Sequence, residues 1–484
     1  MPPQHFVIVG AGVGGLATAL RLSHLGHRVT VLEKTHQIGG RNRPLQVGLS
    51  EFDSGPTLMM MLDPFFQLFR DVGEKLEDHL DIELCDPSYR VFYADGSTLD
   101  GSPNVAKMVR QIETMMGPKD AAAYPRMVGD LGSLYHDAVP NFVRKNFYTP
   151  LSFFSPKNLA LVVKHKMLAN LGHRIDHYMD HPKLRMLFTF QTMYLGLSPY
   201  DAPWVYSVLT YMEYGEGIWY PKGGMVRIAE SIADLARERG AEFRMESTVE
   251  SVQPDGVTLA SGERILADAV IANADLPYVE RELLRKPPKK AAKRRYSCSA
   301  FMMYLDYEGD IPEMEHHNVL FGNAFKENLD QIFHQRALPD DPAFYVCISS
   351  KSDAARSAPG HSNVMVLVPC ANLDRPFSDD DAAFLRSHVF NRLEAQTSFR
   401  RDQVRAESML TPWDWRDQLN LDRGAAFGLS HDFWQSALFR PANKSTSHPN
   451  VYYVGASTTP GNGLPMVLIS AELVEDRLRH DGLI

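Results

Sequence analysis

Four cysteines in 484 residues (Cys85, Cys298, Cys347 and Cys370) are too few and too scattered for a disulfide framework. None forms a CxxC pair or a thiolate metal motif, so a reducing, cytoplasmic setting is expected, with each thiol acting as a small buried hydrophobe. Long apolar runs are also missing. No stretch reaches the roughly 18 residues that span a bilayer. Phe6–Leu20 is apolar, but four glycines interrupt it and no Lys or Arg precedes it, so it is not expected to be a secretory leader. Positive charge is not in excess: 50 Lys and Arg against 59 Asp and Glu give a net charge of −9. That balance argues against nucleic acid as a partner, which needs a broad basic face. There is no HExxH, no Ser/His/Asp order and no other metal spacing, so no metal is expected and no catalytic acid or base declares itself.

What the chain does have is a glycine-rich turn in the right setting. Phe6–Val9 reads as a fully apolar strand and runs into Gly10-Ala11-Gly12-Val13-Gly14-Gly15. An apolar helix follows, then a second strand at Arg28–Leu32 with Glu33 at its end. Strand, GxGxxG, helix, strand, acidic residue is the dinucleotide-binding order. Gly10 permits the tight turn, Gly12 lets the backbone approach a diphosphate, and Gly15 lets the helix lie close to the strand. Gly14 completes the turn, the helix N-terminus attracts the phosphates, and Glu33 is placed to accept from ribose hydroxyls. No second GxGxxG follows a strand, so a built-in nicotinamide site is not expected.

A chain of this length holds two to four units at roughly 100–200 residues each. Glu51–Thr57 reads as a turn-rich loop, and Asp86–Leu99 as a hairpin turning at Asp95-Gly96. Residues 105–215 read as mostly helical. Ile218–Met225 introduces an amphipathic helix ending near Gly240. Strands are expected at Glu242–Met245, Val249–Val252, Gly256–Leu259 and Ile265–Ile271. Tyr296–Leu305, Phe344–Ile348 and Val364–Pro369, with a helix around Asp380–Arg392, read as a second sheet. Val451–Gly455 is an apolar strand, followed by a Gly/Pro loop and a closing helix to Leu478. The fold class is α/β: a discontinuous Rossmann-type domain (1–75, 215–285, 410–484) and a mixed-sheet plus helical substrate domain (76–214, 286–409). Residues 142–172 mix bulky apolar side chains with Arg144, Lys145, Lys157, Lys164 and Lys166. Such a stretch suits a surface that dips into an anionic membrane interface.

Lys34 and Gly39-Gly40-Arg41, just after Glu33, extend the fingerprint in a way that resembles FAD-dependent amine oxidases and carotenoid desaturases. Further blocks sharpen the likeness: Phe52-Asp53-Ser54-Gly55-Pro56-Thr57, Trp219-Tyr220-Pro221-Lys222-Gly223-Gly224, Asn273-Ala274-Asp275, Tyr296-Ser297-Cys298-Ser299, Thr411–Asn420, Phe439-Arg440-Pro441 and Gly455–Pro465. Together they resemble the bacterial-type phytoene desaturases across nearly the whole chain. Asn462 and Ala471 depart from the small residue and glycine common at those positions, which leaves the particular carotenoid open.

The resemblance implies FAD as cofactor, with Arg41 at its diphosphate and Gly455 and Ala456 at the diphosphate or ribityl chain. It puts Gly463, Leu464, Pro465 and Met466 beside the flavin ring, Pro56 and Thr57 near the ring's other side, and the backbone of Val249 at the adenine. It implies desaturation of a phytoene or diapophytoene type of precursor, with a hydride going to the flavin and a proton leaving the neighbouring carbon. A hydrophobic polyene then needs an apolar tunnel, for which the clusters at Leu58–Leu62 and Met186–Tyr194 are suited. Quinone or O2 would accept the electrons, and the protein would sit peripherally on the inner face of the cell membrane. The alternatives are another flavin-dependent carotenoid- or squalene-modifying enzyme, an amine oxidase-like enzyme, or a non-catalytic FAD-binding escort protein. Asp414, Arg416 and His431 lie in or near family-like blocks and read as structural.

Overall fold

His5–Val9 shows no alternation of burial: Phe6, Val7 and Ile8 are all fully buried. A strand covered on both faces belongs in the middle of a parallel sheet, and that is its place in the computed structural model, which describes residues 2–484. The sheet has five parallel strands in the order Val451–Tyr453, Ala269–Ala272, His5–Val9, Arg28–Leu32, Glu242–Arg244. Ile8 stands in register between Val31 and Ile271. The strands come from the beginning, the middle and the end of the chain.

Side-chain direction sorts the two faces. Phe6, Ile8, Val29 and Val31 pack with the helices Val13–His24, Val226–Glu238 and Leu464–His480. Val7, Val9, Leu32 and Val270 pack against an antiparallel sheet of Val249–Gln253, Gly256–Leu259 and Arg264–Leu266.

A seven-stranded mixed sheet forms the second layer system, in the order Val404–Leu410, Ser299–Glu308, His361–Cys370, Phe344–Ile348, His317–Leu320, Tyr89–Phe92, Thr98–Gly101. Leu385, Val389 and Leu393 of the Asp379–Gln396 helix cover one of its faces. A helical block built on Val105–Met116 and Pro118–Ala138 holds a third core around Tyr124, Met127 and Phe188.

Three readings change. Ile265–Ile271 is two strands in two sheets, because the chain crosses between layers at Ala267-Asp268, where the Asp268 carboxylate accepts from the His5 amide (2.7 Å). Glu51–Thr57 starts as a strand, Ser50–Asp53, hydrogen-bonded to Pro44–Val47 through a turn at Gly48-Leu49. Ile218–Pro221 is likewise a strand, paired with Ile82–Cys85. Each is a short pairing set by tertiary contact, which local pattern reads poorly.

Candidate active site

The glycine turn is crowded by one side chain. A Cβ on Gly12 would lie 2.7 Å from Asn273 Nδ2, and one on Gly15 would lie 2.4 Å from the Gly10 carbonyl oxygen. Asn273 belongs to the strand-end Asn-Ala-Asp block and donates back to that same carbonyl (3.3 Å). Gly10 holds a φ of +101°, the left-handed region that glycine accepts without cost. Glu33, expected at a ribose, has a structural role. Its Oε2 accepts from the Ala11 amide (2.8 Å) and its Oε1 from the Thr35 amide (3.0 Å), so it also locks the turn.

Gly10, Gly12, Gly14, Glu33, Lys34, Gly40, Arg41, Pro56, Thr57, Val249, Gly455, Ala456, Gly463, Leu464, Pro465 and Met466 all line one cavity of about 620 Å³. Gly15 does not line it; it lies against the strand end and Asn273. Lys34 is tethered by donating to the Gln418 carbonyl (2.7 Å). The helices Val13–His24 and Leu464–His480 both start without a side-chain cap, and both start in the cavity wall. Two uncapped N-termini give the cavity free amides and positive partial charge.

Arg41 tests whether an anionic cofactor suits this wall. It donates to the Ala426 carbonyl (2.8 Å) and makes no ion pair among the described residues. Burial pushes its pKa down, while the charge of nearby Asp275 partly offsets that. A shielded cation with no carboxylate in ion-pair contact, beside glycines with no room for a Cβ, suits a diphosphate.

The Gly455–Gly463 loop is held from behind by Arg440, which is 3% exposed. Its guanidinium donates to the carbonyls of Ala456, Thr458 (2.9 Å) and Ser430 (3.3 Å), and burial pushes its pKa down to about 10. Ser457 donates to Asp275 (2.6 Å). Asn462, the departure noted in the sequence, donates through its side chain to the Tyr194 carbonyl (2.6 Å) and through its amide to His431 Nε2 (3.4 Å). His431 is kept neutral by burial and serves as a strut. Asp414 completes a capping box with Thr411, and Arg416 pairs with Asp417 on the surface. Both are structural.

Beyond the turn the same cavity becomes apolar. Leu58, Met60, Met61, Phe190 and Met193 line it, along with Val205, Leu209 and Met212. Met59 lies fully buried in the core, and Met186 is outside the lining. Phe142, Val143 and Phe147 carry the lining into the 142–172 segment. There Leu151 (85% exposed), Val163 (76%) and Leu168 (61%) face outward. Lys145, Lys157 and Lys166 are exposed. Arg144 is not available as a free surface charge: it is ion-paired to Asp63 and Glu472. No helix of the described residues is long and apolar enough to cross a membrane.

Some polar groups beside the cavity had no sequence signature. Tyr345, in the wall, bonds to Thr57 (2.8 Å) and to His317 (2.7 Å). Cys85, His316 and His317 converge within 4.8 Å, with the thiol pushed up to about 12 and the imidazoles pushed down by burial. Tyr194 reaches a fully buried Glu213 through Tyr89.

The family model for flavin containing amine oxidoreductases matches residues 13–474. The zeta-carotene-forming phytoene desaturase of Myxococcus xanthus is 39% identical over 487 residues, covering 98% of this chain and 94% of its own. The phytoene desaturase of Phycomyces blakesleeanus is 35% identical, covering 99% and 85%. Among solved structures, an oxidoreductase from Methanosarcina mazei superposes with a TM-score of 0.64 over 98% of this chain and all of its own, at 16% identity, a likeness of fold.

Proposed function

The chain belongs to the carotenoid desaturases within the flavin containing amine oxidoreductases, its cofactor is FAD, and from that premise we propose that it desaturates a phytoene-type polyene drawn from a membrane surface. One observation carries this reading: the cavity that begins at the glycine turn continues without a break into an apolar chamber reaching Phe142 and Phe147. A cofactor end and a hydrocarbon end share one enclosure.

In this reading residues 1–75, 215–285 and 410–484 carry the cofactor, and 76–214 and 286–409 carry the polyene. The Gly12 turn and Arg41 hold the diphosphate, Glu33 the ribose, Val249 the adenine edge, and Gly463–Met466 the ring. Bound FAD supplies a two-electron, hydride-accepting centre. The protein's own part is placement and exclusion of water. Met60, Met61 and Met193 give the chamber flexible apolar walls that accept a long chain in successive registers. The N-terminus of the closing helix stabilises negative charge beside the ring. Quinone or O2 takes the electrons on.

Leu151, Val163 and Leu168, with Lys145, Lys157 and Lys166, support peripheral docking of the segment that forms the chamber's far wall. The test is expression in cells that accumulate phytoene. Coloured polyenes, resolved by chromatography and absorbance, are the expected result. Unchanged phytoene and unchanged diapophytoene with FAD-loaded protein would overturn it.

A further inference from the structure

Glu213 is a carboxylate with no access to water: its residue is 0% exposed. It lies in a one-turn π-helical segment, Met212–Glu216, that ends a helix of the substrate side, and such local widening recurs at functional sites. Among the described residues no lysine or arginine pairs with it. Gln191 donates to its Oε2 (2.8 Å) and Tyr89 donates to its Oε1 (3.1 Å). Tyr89 is itself fully buried, and its hydroxyl is 2.7 Å from that of Tyr194. Tyr194 lines the cavity, and its backbone carbonyl is held by Asn462 of the Gly455–Pro465 loop. A line of hydroxyls therefore runs from the chamber wall, beside the loop assigned above to the flavin ring, to a buried carboxylate.

Desaturation has a proton to dispose of, and an apolar chamber offers no water to take it. We propose that Glu213 is the proton acceptor of the desaturation, reached from the chamber through the hydroxyls of Tyr194 and Tyr89. The proposal rests on the desaturase reading above. As the substrate gives a hydride to the bound flavin, the electron pair of the neighbouring C–H bond closes the new C=C bond. The proton released binds Tyr194 Oη, the Tyr194 hydroxyl proton passes to Tyr89 Oη, and the Tyr89 hydroxyl proton passes to Glu213 Oε1. Both phenols end neutral and the carboxylate ends as the acid.

Burial pushes the Glu213 carboxyl up to about 8, offset in part by Gln191, Tyr89 and Tyr194. The other titratable groups facing the cluster are Tyr214, Tyr345 and His317, all held neutral by burial. Acceptance therefore requires the ionised fraction, which grows with pH.

The experiment is anaerobic flavin reduction by a phytoene-type substrate in the FAD-loaded protein, read against pH, with infrared titration of the buried carboxylic acid in parallel. In the parent the rate should rise with pH and level off above about 8, and a carboxylic acid C=O band should vanish over the same range. Glu213→Gln should lower the rate roughly 10²-fold and flatten the profile, with flavin content and substrate binding retained. Glu213→Asp should restore part of both. Tyr194→Phe should lower the rate while leaving the infrared titration in place, and it stands in if Glu213→Gln does not fold. A Glu213→Gln or Tyr194→Phe protein within about threefold of the parent, with the same pH profile, overturns the proposal. A parent whose flavin is not reduced by the substrate, while the carboxylic acid band still titrates, overturns the desaturase reading and the proposal with it.

Discussion

Replacing Leu151 and Val163 by glutamate tests membrane docking with little cost to the fold, since the two side chains are 85% and 76% exposed. Fully burying a Leu or Val side chain is worth about 2 kcal/mol. Scaled by those exposures, moving both into the acyl boundary contributes about 3 kcal/mol. Every 1.4 kcal/mol is tenfold in partitioning, so the double variant should bind vesicles roughly 10²-fold more weakly. The charge of each glutamate adds to that loss. Lys145, Lys157 and Lys166 contribute about 1 kcal/mol each near an anionic surface, a term that fades within a Debye length as salt is raised. The assay is flotation with anionic vesicles at low and high salt, with flavin content as the check on folding. The parent should float at low salt and partly at high salt, and the double variant should stay at the bottom in both. A parent that does not float, or a double variant that floats like it, refutes the docking argument.

The cofactor half gives two further expectations. Gly15→Ala puts a Cβ 2.4 Å from a backbone oxygen that cannot yield, so the turn must open and the purified protein should lack flavin; full flavin content would refute the close packing. If Arg41 binds the diphosphate as proposed, Arg41→Ala should weaken FAD binding by about 2 kcal/mol. The apo-protein should lose at most the roughly 1 kcal/mol of the hydrogen bond to the Ala426 carbonyl; titration of apo-protein with FAD and thermal melts check both. Glu213 also sets a pH term in stability. Its pKa rises from 4.5 to about 8 on folding, so its contribution is fully present below pH 4.5 and is lost as pH climbs through about 8. The loss is on the order of 5 kcal/mol. Melting temperature should therefore fall between about pH 5 and 8 in the parent and much less in Glu213→Gln; parallel curves would refute the shift.

How much was legible follows from what local sequence encodes. Arg28–Leu32, Gly256–Leu259 and Phe344–Ile348 fall where the apolar pattern puts them, because a covered strand has to be apolar wherever it sits. The Gly/Pro blocks could be read as turns because positive-φ positions such as Gly10, Gly39, Gly455 and Gly463 demand glycine at fixed offsets. Ser50–Asp53 and Ile218–Pro221 were not read as strands, since each gains its partner only from distant chain. Ile265–Ile271 looked like one strand because both sheets want the same residues. Glu213, Tyr89 and Tyr194 come from separate elements, and no spacing links positions 89, 194 and 213. The same holds for Cys85 with His316 and His317. Polar groups that act together through tertiary contact leave no period in the sequence.

The division of charge within one cavity explains how two demands coexist. The cofactor end needs fixed charge and free amides, and it has Arg41, Glu33 and two uncapped helix N-termini. The hydrocarbon end needs none, and the lining there is rich in Met, Phe, Leu and Val, with hydroxyls at Tyr135, Tyr194, Tyr206 and Tyr345. The boundary falls at Asn462, which ties the Gly/Pro loop to the Tyr194 backbone. A small apolar residue at 462 would drop that tie and leave the Tyr194 carbonyl without its donor at the junction of the two halves, at a cost of about 1–3 kcal/mol if it stayed dry. Asn462→Ala should therefore loosen Tyr194 and slow flavin reduction more than it weakens FAD binding. Equal effects on both would place Asn462 in the cofactor wall alone.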